Sequence, residues 1–247
     1  MNKLFAVIAC SIVGSSIAAA AEITVLSGGA IEPGLNAAAE AFQKQTGHTV
    51  KITYNTTPQG VKRVLGGDAF DVVIYPPQAV EQFAKASKVE GERVNVGRVG
   101  LGAVVRPGAP APDLSSGESL KRSVLEAESI VFNRASTGLY FENLLKKMGI
   151  YDQVESKTAR YADGASVMEH VLKGKGKEVG FGPITEILLY KDKGLRLVGP
   201  LPAEIQNYTT YTAVPMTDGA NAEIATAFVR FLGGATGKPL FVAAGIE

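Results

Sequence analysis

The chain has 247 residues, of which 46% are hydrophobic and 20% charged, with 25 Lys+Arg against 24 Asp+Glu. That is enough apolar material for one large domain or two small ones, and the near-zero charge excludes the basic footprint of a nucleic-acid binder or a polybasic membrane-surface protein. A single cysteine, Cys10, excludes a disulfide framework and a cysteine-built metal site.

Residues 1–21 read as a secretory signal peptide. Lys3 is the positive end, Leu4 to Ile17 the apolar stretch, and Ala18 to Ala21 the small residues that a signal peptidase cuts after. Cys10 lies within it, and Val7-Ile8-Ala9-Cys10 comes too early to be a lipoprotein box. Removing Lys3 leaves 24 Lys+Arg against 24 Asp+Glu, a formally neutral mature chain. The rest of the chain has no hydrophobic run of membrane-spanning length.

The mature chain alternates strand and helix. Glu22–Ser27 reads as a strand, and Pro33–Gln45 as a helix with Leu35, Ala38, Ala39 and Phe42 on one face and Gly47 at its end. A strand over Thr49–Tyr54, a helix over Gln59–Leu65, a buried strand over Asp71–Ile74 and a helix over Pro76–Ala86 follow. Arg98–Arg106 is extended and long enough to leave one lobe and enter another, and Pro107–Gly117 is a turn-rich loop. The pattern then restarts: strand Glu128–Phe132, helix Leu139–Met148, strand Lys157–Tyr161, helix Ser166–Lys173 capped by Asp163, strand Glu178–Phe181, helix Pro183–Tyr190 and strand Leu195–Val198. Tyr208–Val214 is extended, and helices over Asn221–Leu232 and Lys238–Ala244 finish the chain. Two similar α/β halves result, with the chain end returning to the first.

In such sheets ligands bind beyond the carboxyl ends of the strands, where helix starts expose unpaired N–H groups that favour anions. Ser27-Gly28-Gly29-Ala30 is either an anion-cradling loop or an ordinary tight turn. Thr56 and Thr57 either give hydroxyls to a ligand or cap the helix ahead of Pro58. Arg134, followed by Ser136, Thr137 and Gly138, offers a guanidinium beside a helix start, suited to a carboxylate or oxyanion; the alternative is a surface arginine paired with an acid. Tyr75 either faces the cleft or packs a lobe. Gly164, Gly182 and Pro183 are candidates by the same positional logic. His48 and His170 read as surface residues outside any metal-spaced cluster, Arg63 and Arg160 as solvated, and Gly174-Lys175-Gly176-Lys177 as a flexible turn.

The order and spacing of Ile23-Thr24-Val25, the Ser27–Ala30 loop, Leu65-Gly66-Gly67-Asp68-Ala69-Phe70-Asp71-Val72-Val73-Ile74, Ser136-Thr137-Gly138-Leu139-Tyr140 through Met148-Gly149-Ile150, and Val198-Gly199-Pro200-Leu201-Pro202 resemble those of the periplasmic solute-binding proteins of ABC transporters. Within them, the chain is similar to the molybdate-binding-protein-like family. The resemblance covers essentially the whole mature chain. It implies the type II periplasmic binding protein fold: α/β, two doubly wound lobes with a ligand cleft between them, joined by two crossing strands. The expected division is 22–101 and 207–247 for lobe I and 102–206 for lobe II.

It implies also a periplasmic monomer that captures a small anionic solute, without a cofactor, and delivers it to the membrane permease of an ABC-type uptake system. The chain departs from the molybdate pattern at Gly29-Ala30-Ile31, where a serine is usual, and near Gly182-Pro183, where a tyrosine is usual. The solute expected is therefore an oxyanion of some kind or an organic acid. Two other functions use the same fold: a secreted hydrolase with Ser27 or Ser136 as nucleophile, and a ligand-sensing receptor uncoupled from transport. The first needs a base beside the serine, and neither histidine is near a candidate loop.

Overall fold

The structure, a computed structural model, describes residues 20–247, so all but the last two residues of the expected signal peptide lie outside it. β1 (Glu22–Ser27) and β2 (Thr49–Tyr54) flank α1 (Glu32–Thr46) and pair in parallel, from Glu22↔Thr49 to Ser27↔Tyr54. α1 buries Leu35, Ala38, Ala39 and Phe42 at helical spacing and stops at Gly47, whose left-handed backbone (φ +79°) suits a residue without a Cβ. α2 (Thr57–Leu65) and α3 (Pro77–Lys85) flank β3 (Val72–Tyr75), which is buried throughout and runs parallel to β1.

The second half repeats this plan. β5 (Ser129–Asn133) runs parallel to both β6 (Thr158–Tyr161) and β7 (Glu178–Pro183). α5 (Ser136–Lys147) and α7 (Gly164–Lys173) follow β5 and β6, and α8 (Ile184–Leu188) follows β7. α4 (Gly117–Glu126) and the short α6 (Tyr151–Val154) were not expected from the sequence. α4 is mostly polar and buries only Ser119, Leu120 and Val124, with the Ser116 hydroxyl accepting from the Ser119 amide at 3.1 Å.

The 12-residue β4 (Val94–Val105) belongs to both halves. Its first part, Val94 to Gly100, pairs antiparallel with β9 (Tyr208–Pro215), and its second part, Leu101 to Val105, pairs with β7 and with β8 (Arg196–Pro200). The strand path is β2-β1-β3-β9-β4-β7-β5-β6, with β8 beside β4. α9 (Ala222–Gly233) and α10 (Gly237–Ala243) close the first half against α1 and β4. The second crossing, at residues 206–207, lies beside the first. Gln206 Oε1 accepts from the Leu101 amide at 3.0 Å, and its Nε2 donates to the Leu101 carbonyl at 2.9 Å, beside the backbone bonds of Leu101 to Asn207 and Leu201.

Strand alternation divides the apolar residues into four clusters, one on each face of each half. In β1, Ile23 and Val25 face α1, α9 and α10, while Leu26 faces α2 and α3. In the second half, Ile130 and Phe132 face α5, and Val131 faces α7. Buried Phe141 stacks on Phe181 with ring centroids 4.0 Å apart.

Asp71 ties the first half together. Its Oδ2 accepts from the Thr24 amide (2.7 Å) and hydroxyl (2.9 Å), and its Oδ1 from the Asn221 amide (2.8 Å) ahead of α9. Asp71→Ala leaves these part-buried donors without their shared acceptor and is expected to lower the unfolding free energy by about 1–3 kcal/mol in urea. A change within experimental error would show that the three bonds are dispensable.

Candidate ligand-binding cleft

A cavity of about 610 Å³ opens between the two halves, at the carboxyl ends of β1 and β2 on one side and of β5, β6 and β7 on the other. Each of those strands turns directly into a helix start. The Gly28-Gly29-Ala30 turn leads into α1, Thr56-Thr57 into α2, Ser136-Thr137 into α5, and Asp163-Gly164 into α7. First-turn amides have no partner inside their own helix, so helices of both halves bring donors and partial positive charge to one space.

Each start is tuned by its neighbours. Gln59 Oε1 accepts from the Thr56 amide and hydroxyl, both at 3.0 Å, so this residue is engaged in capping α2. Asn133 is buried, and its Oδ1 accepts from the amides of Ala135 (3.0 Å) and Gly138 (3.1 Å), holding the turn into α5. Gly138 is required there, because a Cβ would collide with the Asn133 carbonyl. Asp163 accepts from the Ser166 amide at 2.8 Å, as its place ahead of α7 suggested. The halves also touch directly: the Ser136 hydroxyl donates to Thr57 Oγ1 at 3.3 Å, and the Thr185 hydroxyl donates to the Ala30 carbonyl.

Of the residues singled out in the sequence, Gly28, Gly29, Ala30, Thr56, Thr57, Ser136, Thr137, Gly164 and Pro183 line the cavity. Four others do not. Ser27 is wholly buried behind it, its hydroxyl turned to the Gly28 carbonyl at 3.1 Å. Tyr75 packs edge-on against Phe83 in the core and presses on Gly60, where a Cβ would not fit. Gly182 is spent in the β4–β7 pairing, opposite Gly102. Arg134 is exposed, and the turn into α5 brings Asn133, Ala135, Ser136 and Thr137 to the cleft in its place. Arg63, read as solvated, is half-exposed and forms a surface pair, while Arg160, read the same way, is largely covered and paired. Arg63 meets Asp68 at 2.7 Å and donates to Asn55 Oδ1 at 3.0 Å, while Arg160 meets Glu142 and donates to the Asn133 carbonyl at 3.3 Å. Each guanidinium thus stands one layer behind a cleft asparagine.

Sequence reasoning missed the far wall: Tyr211, Glu186, Leu189, Tyr190 and Lys193. Glu186 is the unusual member. It is half-buried in the cleft wall; its Oε2 is buried with no hydrogen-bond partner, and it packs so closely on Gly164 that a Cβ there would strike that oxygen. Burial pushes its carboxyl up to about 7, and the Asp163 and Glu32 carboxylates add to the shift. Burial likewise raises the Tyr211 phenol, with Glu186 contributing. Among the described residues no group of three His, Cys, Asp or Glu side chains is placed to hold a metal ion, and no helix is long and apolar enough to cross a membrane.

The raised carboxyl sets a pH dependence of stability. The unfolded chain releases this proton near the ordinary value of 4.5, the folded chain near 7. Stability is therefore greatest below the lower value, falls between the two, and levels off above the higher one, for a loss of about 3 kcal/mol. Glu186→Gln lacks this loss, so its urea stability relative to wild type is expected to climb by about 3 kcal/mol between about pH 4.5 and pH 8. A constant difference across that range would place the wild-type proton elsewhere.

A profile of bacterial extracellular solute-binding proteins matches residues 23–247. Aconitate isomerase from a Pseudomonas species is 27% identical over 216 residues, which are 85% of this chain and 81% of that protein. Among solved structures, the periplasmic molybdate-binding protein of Azotobacter vinelandii is similar at a TM-score of 0.75 and 17% identity, over 91% of this chain and 98% of that one. The sulfate-binding protein SubI of Mycobacterium tuberculosis H37Rv is similar at 0.73 and 18%, over 92% and 86%. At such identities these structures speak to the fold, the type II periplasmic binding protein architecture of two α/β lobes joined by two crossing strands. With the profile spanning nearly the whole described chain, the protein belongs to the bacterial extracellular solute-binding protein family.

Proposed function

We propose that the protein is a periplasmic binding protein that captures a small anionic solute between its lobes and hands it to an ABC-type permease. The observation that carries this reading is the convergence of helix starts from both lobes on one cleft: α1 and α2 from one side, α5 and α7 from the other. Amides and hydroxyls arranged this way bind an anion without a formal countercharge. The structural relatives named for molybdate and sulfate agree with that chemistry. At about 610 Å³ the cavity has room for much more than a tetrahedral oxyanion, and Leu189 and Tyr190 supply an apolar wall that an organic acid would use. An organic di- or tricarboxylate is thus the better fit.

Capture would proceed by hinge closure, the lobes dividing at Gly100–Leu101 and Gln206–Asn207, where the Gln206 amide bridges the two crossings. The reading excludes a serine hydrolase. Ser27 is buried with its hydroxyl on a carbonyl, the Ser136 hydroxyl points to Thr57, and neither histidine lines the cleft. A different enzymatic reading has one observation in its favour. The relative named aconitate isomerase spans most of this chain, and Glu186 is a cleft acid that exchanges its proton near neutral pH, as acid–base catalysis requires.

Thermal-shift measurements with molybdate, sulfate, citrate and trans-aconitate test the binding reading. A carboxylate present at a hundred times its Kd should stabilise the protein by about 2.7 kcal/mol, and silence towards all four would remove the reading. Thr57→Ala and Ser136→Ala should each weaken the best of these anions by about 0.5–1.5 kcal/mol; unchanged affinity in both would take the hydroxyls out of the site. Incubating the protein with trans-aconitate and resolving the isomers by chromatography separates capture from turnover: binding without conversion is expected, and steady conversion would install the isomerase reading instead.

A further inference from the structure

We propose that Glu186 meets the solute as a neutral carboxylic acid and donates a hydrogen bond to one of its anionic oxygens, so that capture takes up a proton. The inference rests on the anion reading of the cleft and adds how the solute is recognised. It starts from position. Glu186 comes just after the end of β7, three residues past Pro183, where α8 packs against the Gly29–Ile31 turn of the other lobe. Its carboxyl lies between two helix starts, Oε2 against Gly164 ahead of α7 and Oε1 towards Gly29 ahead of α1. A solute bound to the amides of both lobes at these two starts would lie beside this group.

The carboxyl has no company that would keep it ionised. The charged and titratable groups facing it are Glu32 on α1, Asp163 ahead of α7 and Tyr211 on β9, none of them a cation. Tyr54 on β2 and Lys193 and Tyr190 beyond α8 complete the ionisable lining. The Lys193 ammonium is drawn away, over the Tyr190 ring at 4.2 Å and towards Glu169 at 3.5 Å. An ionised Glu186 would place an unpaired negative charge, with one oxygen buried, beside two other carboxylates, which costs both desolvation and repulsion.

As the neutral acid it carries one O–H, and its buried Oε2 has no partner within the protein. The acceptor that completes the bond is what an anionic solute brings. One such bond replaces a repulsion by an attraction: the same side chain that would expel an anion when charged holds it when protonated. Asp163 caps α7, accepting from the Ser166 amide, and Glu32 opens α1, so each stands at the positive end of a helix.

The test is the pH dependence of affinity for trans-aconitate and for sulfate, measured by calorimetry between about pH 7 and about pH 9, where both probes stay fully ionised. In wild type the dissociation constant is expected to rise about tenfold per pH unit above neutrality, with close to one proton taken up per solute when buffers of different ionisation enthalpy are compared. Glu186→Gln keeps a neutral donor and should bind with a flat profile and no proton uptake. A flat wild-type profile, or a slope that survives in the variant, overturns the inference. A second readout needs no ligand: in the free protein a glutamate side-chain carboxyl carbon, absent from the Glu186→Gln spectrum, should titrate near pH 7 by carbon-13 NMR. A midpoint below about pH 5 removes the neutral acid. Failure of both probes to bind at every pH, with the NMR midpoint near 7, would instead remove the anion reading and leave the protonated carboxyl standing.

Discussion

The architecture depends on one strand shared by two sheets. β4 takes its first partners from β9 and its last from β7 and β8, changing sheets at Gly100–Leu101. Each half keeps its own two apolar clusters, so each is held by burial that does not need the other. The two are joined by two adjacent crossings, and there the Gln206 side chain bonds both the N–H and the C=O of Leu101, alongside the backbone of Asn207 and Leu201. A junction built from a few hydrogen bonds between two independently cored bodies is the natural place for motion.

That arrangement turns a property of one helix into a property of the molecule. A single helix start attracts an anion weakly and in competition with water. Here the strand ends of both lobes face the same cavity, so the starts of α1, α2, α5 and α7 act on one volume. Behind the front layer, Arg63 and Arg160 hold Asn55 and Asn133 in place. The two guanidinium groups thereby stand behind the cleft asparagines and orient them, a two-layer arrangement in which side-chain groups of the lining are held in place by a layer behind them. Glu186 shares this lining with the carboxylates Glu32 and Asp163, and it is the one whose buried oxygen has no partner in the protein.

Much of this was legible in the amino-acid order. The β-branched alternation of Glu22–Ser27 and Thr49–Tyr54 marks β1 and β2 to the residue, and the glycines and hydroxyls that follow strands mark the turns that line the cleft. Asp163 was recognisable as a cap because a short acid directly before an apolar helical pattern has few other uses. Tyr75 and Arg134 show the limit of the same logic. Both sit at strand ends, but neighbouring residues of one turn point in different directions, and periodicity cannot say which enters the cavity. Tyr75 goes inward under Gly60, and Arg134 stays outside while Asn133 and Ser136 go in. Glu186 was invisible for a different reason. In Ile184-Thr185-Glu186-Ile187-Leu188 it looks like any acid on a short amphipathic helix, and only the contact of α8 with the Gly29–Ile31 turn makes it a cleft group with a buried oxygen.

The central claim is that an anion sits between the lobes on main-chain amides and hydroxyls drawn from both. The most direct measurement is a crystal structure of the protein grown with a saturating concentration of trans-aconitate. The account predicts density for the acid in the cleft, with carboxylate oxygens within hydrogen-bonding distance of the turn at Gly28–Ala30 on one lobe and of Ser136 or Gly164 on the other. Density confined to one lobe, or an empty cleft under those conditions, would contradict it.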